Sequence, residues 1–249
     1  MDKRPLIVIS FASLLAFAAC KGQNFSADGL QSGALSMVKA ATLSNEEVAA
    51  KSLATAQQID SESQVAPAGS PYDARLQNLA RYIIIPGYNF NFKVYMSQEL
   101  NAFALPSGDV RVNSALMDAM NDQELLFVIG HEVGHVVRQH STDQFKLAYA
   151  ASGLRDVAAS SSGTAGQIAS SDLGGLAEKF VNAQFSQTQE EDADDYGVLL
   201  LKSNNLSPAI GAAALRKLAS AGSNPSLTQK LFSSHPEPEA RAKRIEQRG

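Results

Sequence analysis

Apolar residues recur at helical spacing over most of the chain. From Pro71 to Tyr82 they fall on one face, which predicts a helix there. A second helix is predicted from near Asn121, because Asn121 and Glu124 have the spacing of a capping box, and its apolar stripe continues to near His140. Other helices are predicted around the first two: one beginning after Ser44, with Glu47 three residues on, one at residues 176–201, one after Pro208, and a short one at the carboxyl end.

Between the two main helices the apolar period changes to that of strands. Residues 92–97 and 102–106 are predicted to be short strands, residues 107–109 (Ser-Gly-Asp) are typical of a turn, and residues 110–114 form the next strand. We therefore expect a small antiparallel sheet and an α+β fold that is mainly α-helical. Residues 149–175 are rich in Ala, Ser and Gly and poor in large apolar side chains, which is typical of a connector or a mobile lid.

The amino-terminal segment has the pattern of an export signal. Two basic residues precede an apolar run from Leu6 to Ala19, about 14 residues long, whereas a membrane-spanning helix needs roughly 20. The tripeptide that ends at Cys20 resembles a bacterial lipobox, in which the cysteine is acylated and becomes the new amino terminus. The alternative is a plain secretory signal with an incidental cysteine. Lys21 follows Cys20, and the resemblance to Gram-negative lipoproteins implies sorting to the outer membrane.

Composition and charge indicate how the chain is divided into parts and which classes of partner it can have. With 249 residues, 45% of them hydrophobic, the chain suits one globular domain with attached segments. The predicted parts are a signal peptide at residues 1–19, a lipid-anchored tether with helices at 20–70, and one domain at 71–249. Cys20 is the only cysteine, so the domain has no internal disulfide. The net charge is −4 and there is no basic stripe, which argues against a nucleic-acid partner.

The sequence HEVGH at residues 131–135 carries the clearest chemistry. His131 and His135 are one helical turn apart, so both imidazoles can reach one tetrahedral zinc ion. Glu132 lies about 100° further round the helix, where it can take a proton from a water molecule at the metal and pass it to a leaving amine. Gly134 has no side chain, which would let another element pack closely. His140 falls well off this face, so we expect a structural or surface role for it.

A catalytic zinc site usually has three protein ligands, so a third must come from elsewhere in the chain. The best source is an acidic stretch in the predicted helix at residues 176–201. One residue there could bind the metal, and another could accept the second N–H of a ligand histidine. Residue types alone leave five carboxylates open: Glu190, Glu191, Asp192, Asp194 and Asp195.

The paired motifs carry a family resemblance. HEVGH, followed by Glu-x-x-Ala-Asp from Glu190 to Asp194, resembles the M48 family of zinc metallopeptidases. The stretch KVYMSQELNAFALPSGDVRVNS resembles the strand region ahead of that family's zinc helix, and SSHPEPEARAKRI resembles its closing His-Pro segment. The resemblance implies a gluzincin-type fold, one Zn²⁺ on His131, His135 and Glu190, Glu132 as general base, and Asp194 supporting a ligand histidine.

The resemblance also implies roles outside the metal ligands. It places a substrate-binding edge strand at Asn101, Ala102, Phe103 and Ala104, to which an extended peptide can pair. It brings His235 near the active site, where the ring could bind the oxyanion of the tetrahedral intermediate or instead occupy the open metal position. The chain departs from the family at Gln187, where many members have arginine.

Taken together, the residues and the resemblance predict a zinc endopeptidase. The expected substrates are unfolded or misassembled envelope proteins, because pairing with a strand reads the substrate backbone more than its side chains. The expected location is the periplasmic face of the outer membrane, held there by lipid on Cys20 alone. A binding or chaperone-like factor in outer-membrane protein assembly, with latent proteolysis, is the main alternative, and the assembly machinery is then a partner. A zinc hydrolase acting on cell-wall amides is a weaker alternative.

Overall fold

The computed structural model describes residues 42–152, 170–221 and 225–248. Within these ranges the chain is mainly helical with one small sheet, which confirms the predicted α+β class. The helices are α1 (Asn45–Glu62), α2 (Pro71–Ala80), α3 (Ser114–Ala119), α4 (Asp122–Val137), α5 (His140–Ser152), α6 (Ser170–Val181), α7 (Gln187–Ser203), α8 (Ala209–Ala221), α9 (Pro225–Ser234) and α10 (Pro238–Arg248).

The sheet has three strands, β1 (Asn91–Tyr95), β2 (Ala102–Ala104) and β3 (Asp109–Asn113), in the order β1-β3-β2. β2 pairs with β3 antiparallel, as predicted, but β1 pairs with β3 parallel, so the sheet is mixed rather than wholly antiparallel. The reason is that the chain reverses between β1 and β2 and again between β2 and β3. After two reversals β3 runs in the same direction as β1, and because it lies between the two earlier strands it pairs with β1 in parallel.

Helix α1 is held against the sheet by a buried charge cluster. The Arg111 side chain on β3 is 1% exposed and donates from Nε to Asp60 Oδ1 at 2.8 Å. Asp60 also accepts from Lys93 Nζ at 2.7 Å and from the Tyr95 hydroxyl at 2.6 Å. Burial alone would raise the pKa of Asp60, but these donors outweigh it and lower the pKa. The cluster joins the carboxyl end of α1 firmly to the sheet.

The predicted capping boxes at Ser44 and Asn121 are both present, and Asn121 begins α4 as expected. The helix ends at Val137, three residues before the predicted end near His140. Gln139 has φ of 64°, a left-handed conformation that stops a helix. The chain therefore turns after α4, and His140 begins a new helix, α5.

Helices α4 and α7 pack with little space between them. A Cβ added to Gly134 would lie 2.9 Å from Tyr196 Cβ and 3.2 Å from the Ala193 carbonyl oxygen. Gly130 likewise approaches the Gly197 backbone, with 3.2 Å from its added Cβ to Gly197 Cα. This confirms the expectation that a missing side chain in HEVGH allows close packing. The acidic residues of α7 are thereby brought against the two histidines of α4.

The predicted helix at residues 176–201 is two helices, α6 and α7, separated by residues 182–186. The break is made by Ser186, which caps α7, and by Phe185, whose N–H donates to the Ser234 carbonyl at 3.1 Å. The carboxyl end likewise contains two helices, α9 and α10, rather than one. They are separated by His235, Pro236 and Glu237.

Some predictions fall outside the described residues. The signal peptide and Cys20 lie in residues 1–41, and most of the predicted connector or lid lies in residues 153–169. The ends of that predicted segment are helical, as parts of α5 and α6. In the part of the chain that is described, every helix is too short or too polar to cross a membrane.

Candidate metal centre

Helix α4 aims both histidines of HEVGH at one point. The Nε2 atoms of His131 and His135 are 3.1 Å apart, and the two residues are 4% and 0% exposed. The Phe185 ring stacks on one face of the His135 imidazole, with ring centroids 3.8 Å apart. The pair therefore presents two nitrogen atoms in a site closed to bulk water.

Helix α7 supplies the third donor. Glu190 is fully buried, with Oε1 3.3 Å from His135 Nε2 and Oε2 3.7 Å from His131 Nε2. Of the five carboxylates that the sequence left open, only Glu190 and Asp194 are buried, and Glu190 alone approaches both histidines. Glu191 and Asp195 instead pair with Arg244, and Asp192 is exposed.

His235 joins the same group from the segment between α9 and α10. Its Nδ1 lies 3.0 Å from Glu190 Oε1 and 3.4 Å from His131 Nε2. The donor atoms of His131, His135, Glu190 and His235 all lie within 4.8 Å of one another. Donors about 2.0–2.1 Å from a tetrahedral zinc ion are roughly 3.3 Å apart, so the residues present fit this metal.

Glu132 lies beside this group and is 3% exposed. Its Oε1 is 3.7 Å from Nε2 of His235, on the side of the ring opposite the nitrogen that faces Glu190. Burial raises the pKa of Glu132 above its ordinary value, although His235 and His131 oppose the rise. A carboxylate with a raised pKa accepts a proton more readily, which suits a general base.

Asp194 and Arg241 contact the donor residues His131 and Glu190. Asp194 Oδ1 is 3.0 Å from His131 Nδ1, so it can hold that nitrogen protonated and leave Nε2 free. Arg241 donates to Asp194 from Nε at 2.8 Å and from Nη2 at 2.6 Å, while its Nη1 contacts Glu190. Burial would raise the pKa of Asp194, but Arg241 and His131 hold it below its ordinary value.

The electrostatics of the donors follow from their close packing. Burial would raise the pKa of Glu190, but His235, His135 and His131 together hold the pKa well below its ordinary value. Burial lowers the pKa of His135 well below its ordinary value, which keeps the imidazole neutral. A neutral imidazole and an ionised carboxylate are the states that bind a metal ion.

Sequence reasoning missed Arg241 and Phe185, and it did not predict that His140, expected off the metal face, contacts His135. His140 is 7% exposed, and its Nδ1 lies 3.2 Å from Nδ1 of His135, so it supports a donor histidine although it lies outside the donor group. Arg241 sits in a strongly charged terminal helix, where the sequence gives no sign that one arginine of several is buried. Gln187 stands where many members of the resembled family have arginine. Its Nε2 donates to Glu191 Oε1 at 3.2 Å.

The predicted edge strand lies beside α4. β2 is at one edge of the sheet, and its bonds to β3 include Asn113 N–H to Asn101 carbonyl and Leu105 N–H to Asp109 carbonyl. Antiparallel pairing alternates, so the backbone groups of Ala102 and Ala104 point away from β3. Ser141 Oγ donates to the Ala104 carbonyl at 3.0 Å, which covers one of these groups.

Comparison with known proteins places this site in a family. A sequence profile of peptidase family M48 matches residues 72–249. The chain is 40% identical to Metalloprotease LoiP of Escherichia coli over 98% of this chain and 95% of that protein. It is 40% identical to Metalloprotease YcaL of Escherichia coli over 87% of this chain and 85% of that protein. The Beta-barrel assembly-enhancing protease of Yersinia pestis is 30% identical over 61% of this chain and 33% of that protein.

The family match covers all four donor residues, Glu132 and Arg241. Together with the buried group of two histidines and a glutamate, it shows that the chain belongs to peptidase family M48 and is a metalloprotease.

Proposed function

We propose that this metalloprotease is a zinc endopeptidase of the cell envelope that cleaves unfolded or misassembled proteins. The observation that carries the proposal is the buried group formed by His131, His135 and Glu190, with the Glu132 carboxylate beside it. These three residues would hold the zinc ion. When bound, zinc supplies a Lewis acid that polarises the scissile carbonyl and makes water more acidic.

The protein residues supply the proton transfers and hold the donor histidine in place. Glu132 takes the proton of the attacking water and later delivers it to the amine that leaves, which its raised pKa favours. Asp194 and Arg241 keep His131 in one tautomer and one orientation. The burial of the site excludes bulk water, which strengthens each of these interactions.

The edge of β2 is proposed to hold the substrate. The outward backbone groups of Ala102 and the N–H of Ala104 can pair with an extended peptide, whereas the Ala104 carbonyl already accepts a hydrogen bond from Ser141. Extended segments with free backbone groups are most available in unfolded chains, because a folded chain pairs most of these groups internally. Substrates are therefore expected to be unfolded or incompletely assembled chains.

For location, we propose residues 1–19 as a signal peptide, acylation of Cys20, residues 20–70 as a tether with helices, and residues 71–249 as the peptidase domain. The support is the lipobox-like sequence and the similarity to a protease whose name refers to β-barrel assembly. The proposed site of action is the periplasmic face of the outer membrane, with the assembly machinery as a partner.

His235 is proposed to close the site rather than to assist the reaction. Its Nδ1 lies beside the other three donors, where it would compete with water for the fourth position on a bound zinc ion. Opening the site would require His235, in the segment between α9 and α10, to leave this position, and its N–H is bonded to the Leu231 carbonyl at 2.7 Å. In this arrangement His235 competes with water and substrate, so the enzyme is latent until the segment is displaced.

Replacing His235 by Ala tests this role. We expect the variant to cleave casein several-fold faster than the wild-type chain, with the other three donors still binding one zinc ion. The measurements are the initial rate of casein cleavage and the zinc content of both proteins. A slower rate with zinc retained would instead indicate that His235 stabilises the transition state.

Removal of the metal tests the proposed function as a whole. We expect dialysis against a chelator to abolish casein cleavage, and one equivalent of Zn²⁺ per chain to restore it, because the buried donors preorganise the site. The control is the His131→Ala variant, which loses a donor and should not recover when zinc is added. Cleavage that persists in the metal-free protein would contradict the proposal.

A further inference from the structure

A second cavity lies at the amino-terminal end of β2, outside the metal centre. It is a cleft of about 560 Å³, which we call the Asn101 cleft. Its floor is formed by the ends of the three strands, its walls by the end of α1 and by α6, and α9 contributes Lys230. The residues that matter for its chemistry are Glu62, Tyr95, Asn101, Phe103 and Glu178.

Asn101 points to a missing ligand. The residue is 4% exposed and lines the cleft, yet its side-chain oxygen is buried and makes no hydrogen bond to the described residues. An unpaired buried acceptor costs about 1–3 kcal/mol, so such groups are rare unless something binds them. The missing partner must be a hydrogen-bond donor.

The charges that line the cleft favour a cation. Lys230 donates to Glu99 Oε2 at 2.8 Å, so these two charges neutralise each other. Glu62 accepts a hydrogen bond from the neutral amide of Gln58. Within the described residues, neither Glu62 nor Glu178 forms an ion pair, and the cleft keeps two uncompensated carboxylates.

The floor of the cleft suits the stem of a long basic side chain. The rings of Tyr95 and Phe103 lie side by side there, with centroids 6.3 Å apart. Aromatic faces attract lysine and arginine, and they also cover the aliphatic part of these side chains. Two carboxylates and two aromatic rings that line one cleft are therefore a suitable environment for lysine or arginine.

The position of the cleft relates it to the substrate. A peptide that pairs antiparallel with β2 leaves the strand at Asn101 with its carboxyl-terminal part. We infer that the Asn101 cleft binds a lysine or arginine of the substrate on the carboxyl side of the scissile bond. The inference rests on the proposed function, and it adds a sequence preference. Glu62 precedes the region matched by the family profile, so part of this preference comes from outside the family domain.

The test measures binding separately from cleavage. Two fluorescent extended peptides, identical except for lysine or glutamine near the carboxyl end, are titrated into the full chain in detergent solution. The protein carries Glu132→Gln so that neither peptide is cut. We expect the lysine peptide to bind about fivefold more tightly, the scale of one or two partly exposed ion pairs.

The double variant Glu62→Gln with Glu178→Gln should remove this difference while it still binds the glutamine peptide, which shows that it is folded. The matched control is Glu46→Gln, the same change at the other end of α1, about 24 Å away. Equal affinities for the two peptides, or a difference that survives in the double variant, would overturn the inference. If the lysine peptide binds selectively but neither the wild-type chain nor the His235→Ala variant cuts either peptide, the proposed function fails and the cleft assignment stands.

Discussion

Replacement of Glu132 by Gln is expected to lower kcat/KM for casein by about 10²–10⁴-fold, the usual contribution of a general acid–base group. Glutamine has the same shape but accepts no proton at neutral pH. Burial raises the pKa of Glu132 because it disfavours the charged form, and a neutral amide avoids that cost, so we expect the variant to fold. The metal donors are untouched, so the variant should still bind one zinc ion.

The measurement combines casein cleavage with metal content. Glu46→Gln serves as the control, since it makes the same chemical change at an exposed position and should keep full activity. The same variant distinguishes the two candidate cellular functions, which are proteolysis and chaperone-like binding. A cell that needs cleavage fails with Glu132→Gln, whereas a cell that needs only a chaperone-like binding factor does not. Full casein cleavage by the variant would remove Glu132 from the mechanism.

Replacement of Arg241 by Met is expected to give the largest loss of stability, about 3–5 kcal/mol in the free energy of unfolding of the metal-free protein. Arg241 is 5% exposed, and it pairs with Asp194 and contacts Glu190, both fully buried. Without the guanidinium, two buried carboxylates lose their nearest permanent cation. Arg241→Lys should lose less stability than the methionine variant but more than wild type, because an ammonium cannot serve both carboxylates with a planar fork.

Urea unfolding in the presence of a chelator measures this effect without compensation from bound zinc. The control is Arg216→Met, which removes an arginine whose side chain is 41% exposed and which pairs with Glu246, and its loss of stability should be much smaller. Equal losses at Arg216 and Arg241 would contradict the role that we assign to burial. So would a loss below about 1 kcal/mol, since the desolvation cost of the pair would then cancel its attraction.

The local features of this protein could be predicted from the sequence. The capping boxes at Ser44 and Asn121 begin helices where the pattern placed them, because a cap depends on residues three apart in the chain. The spacing of His131 and His135 likewise predicted two imidazoles on one face. These features follow from bonds within a single helical turn, and distant parts of the chain do not alter them.

Other features were decided by the tertiary structure. The sequence offered five acidic residues as the third donor, and the family pattern indicated Glu190, but only the close packing of α7 on α4 brings its carboxylate to the histidines. In the sequence, Arg241 is one charge among several in a polar helix. Its burial follows from the packing of α10 against α7, where it pairs with Asp194. The parallel pairing of β1 with β3 also has no local signal, because it depends on which strand enters between the others. In each case the deciding contact joins segments far apart in the chain, and residue spacing carries no information about it.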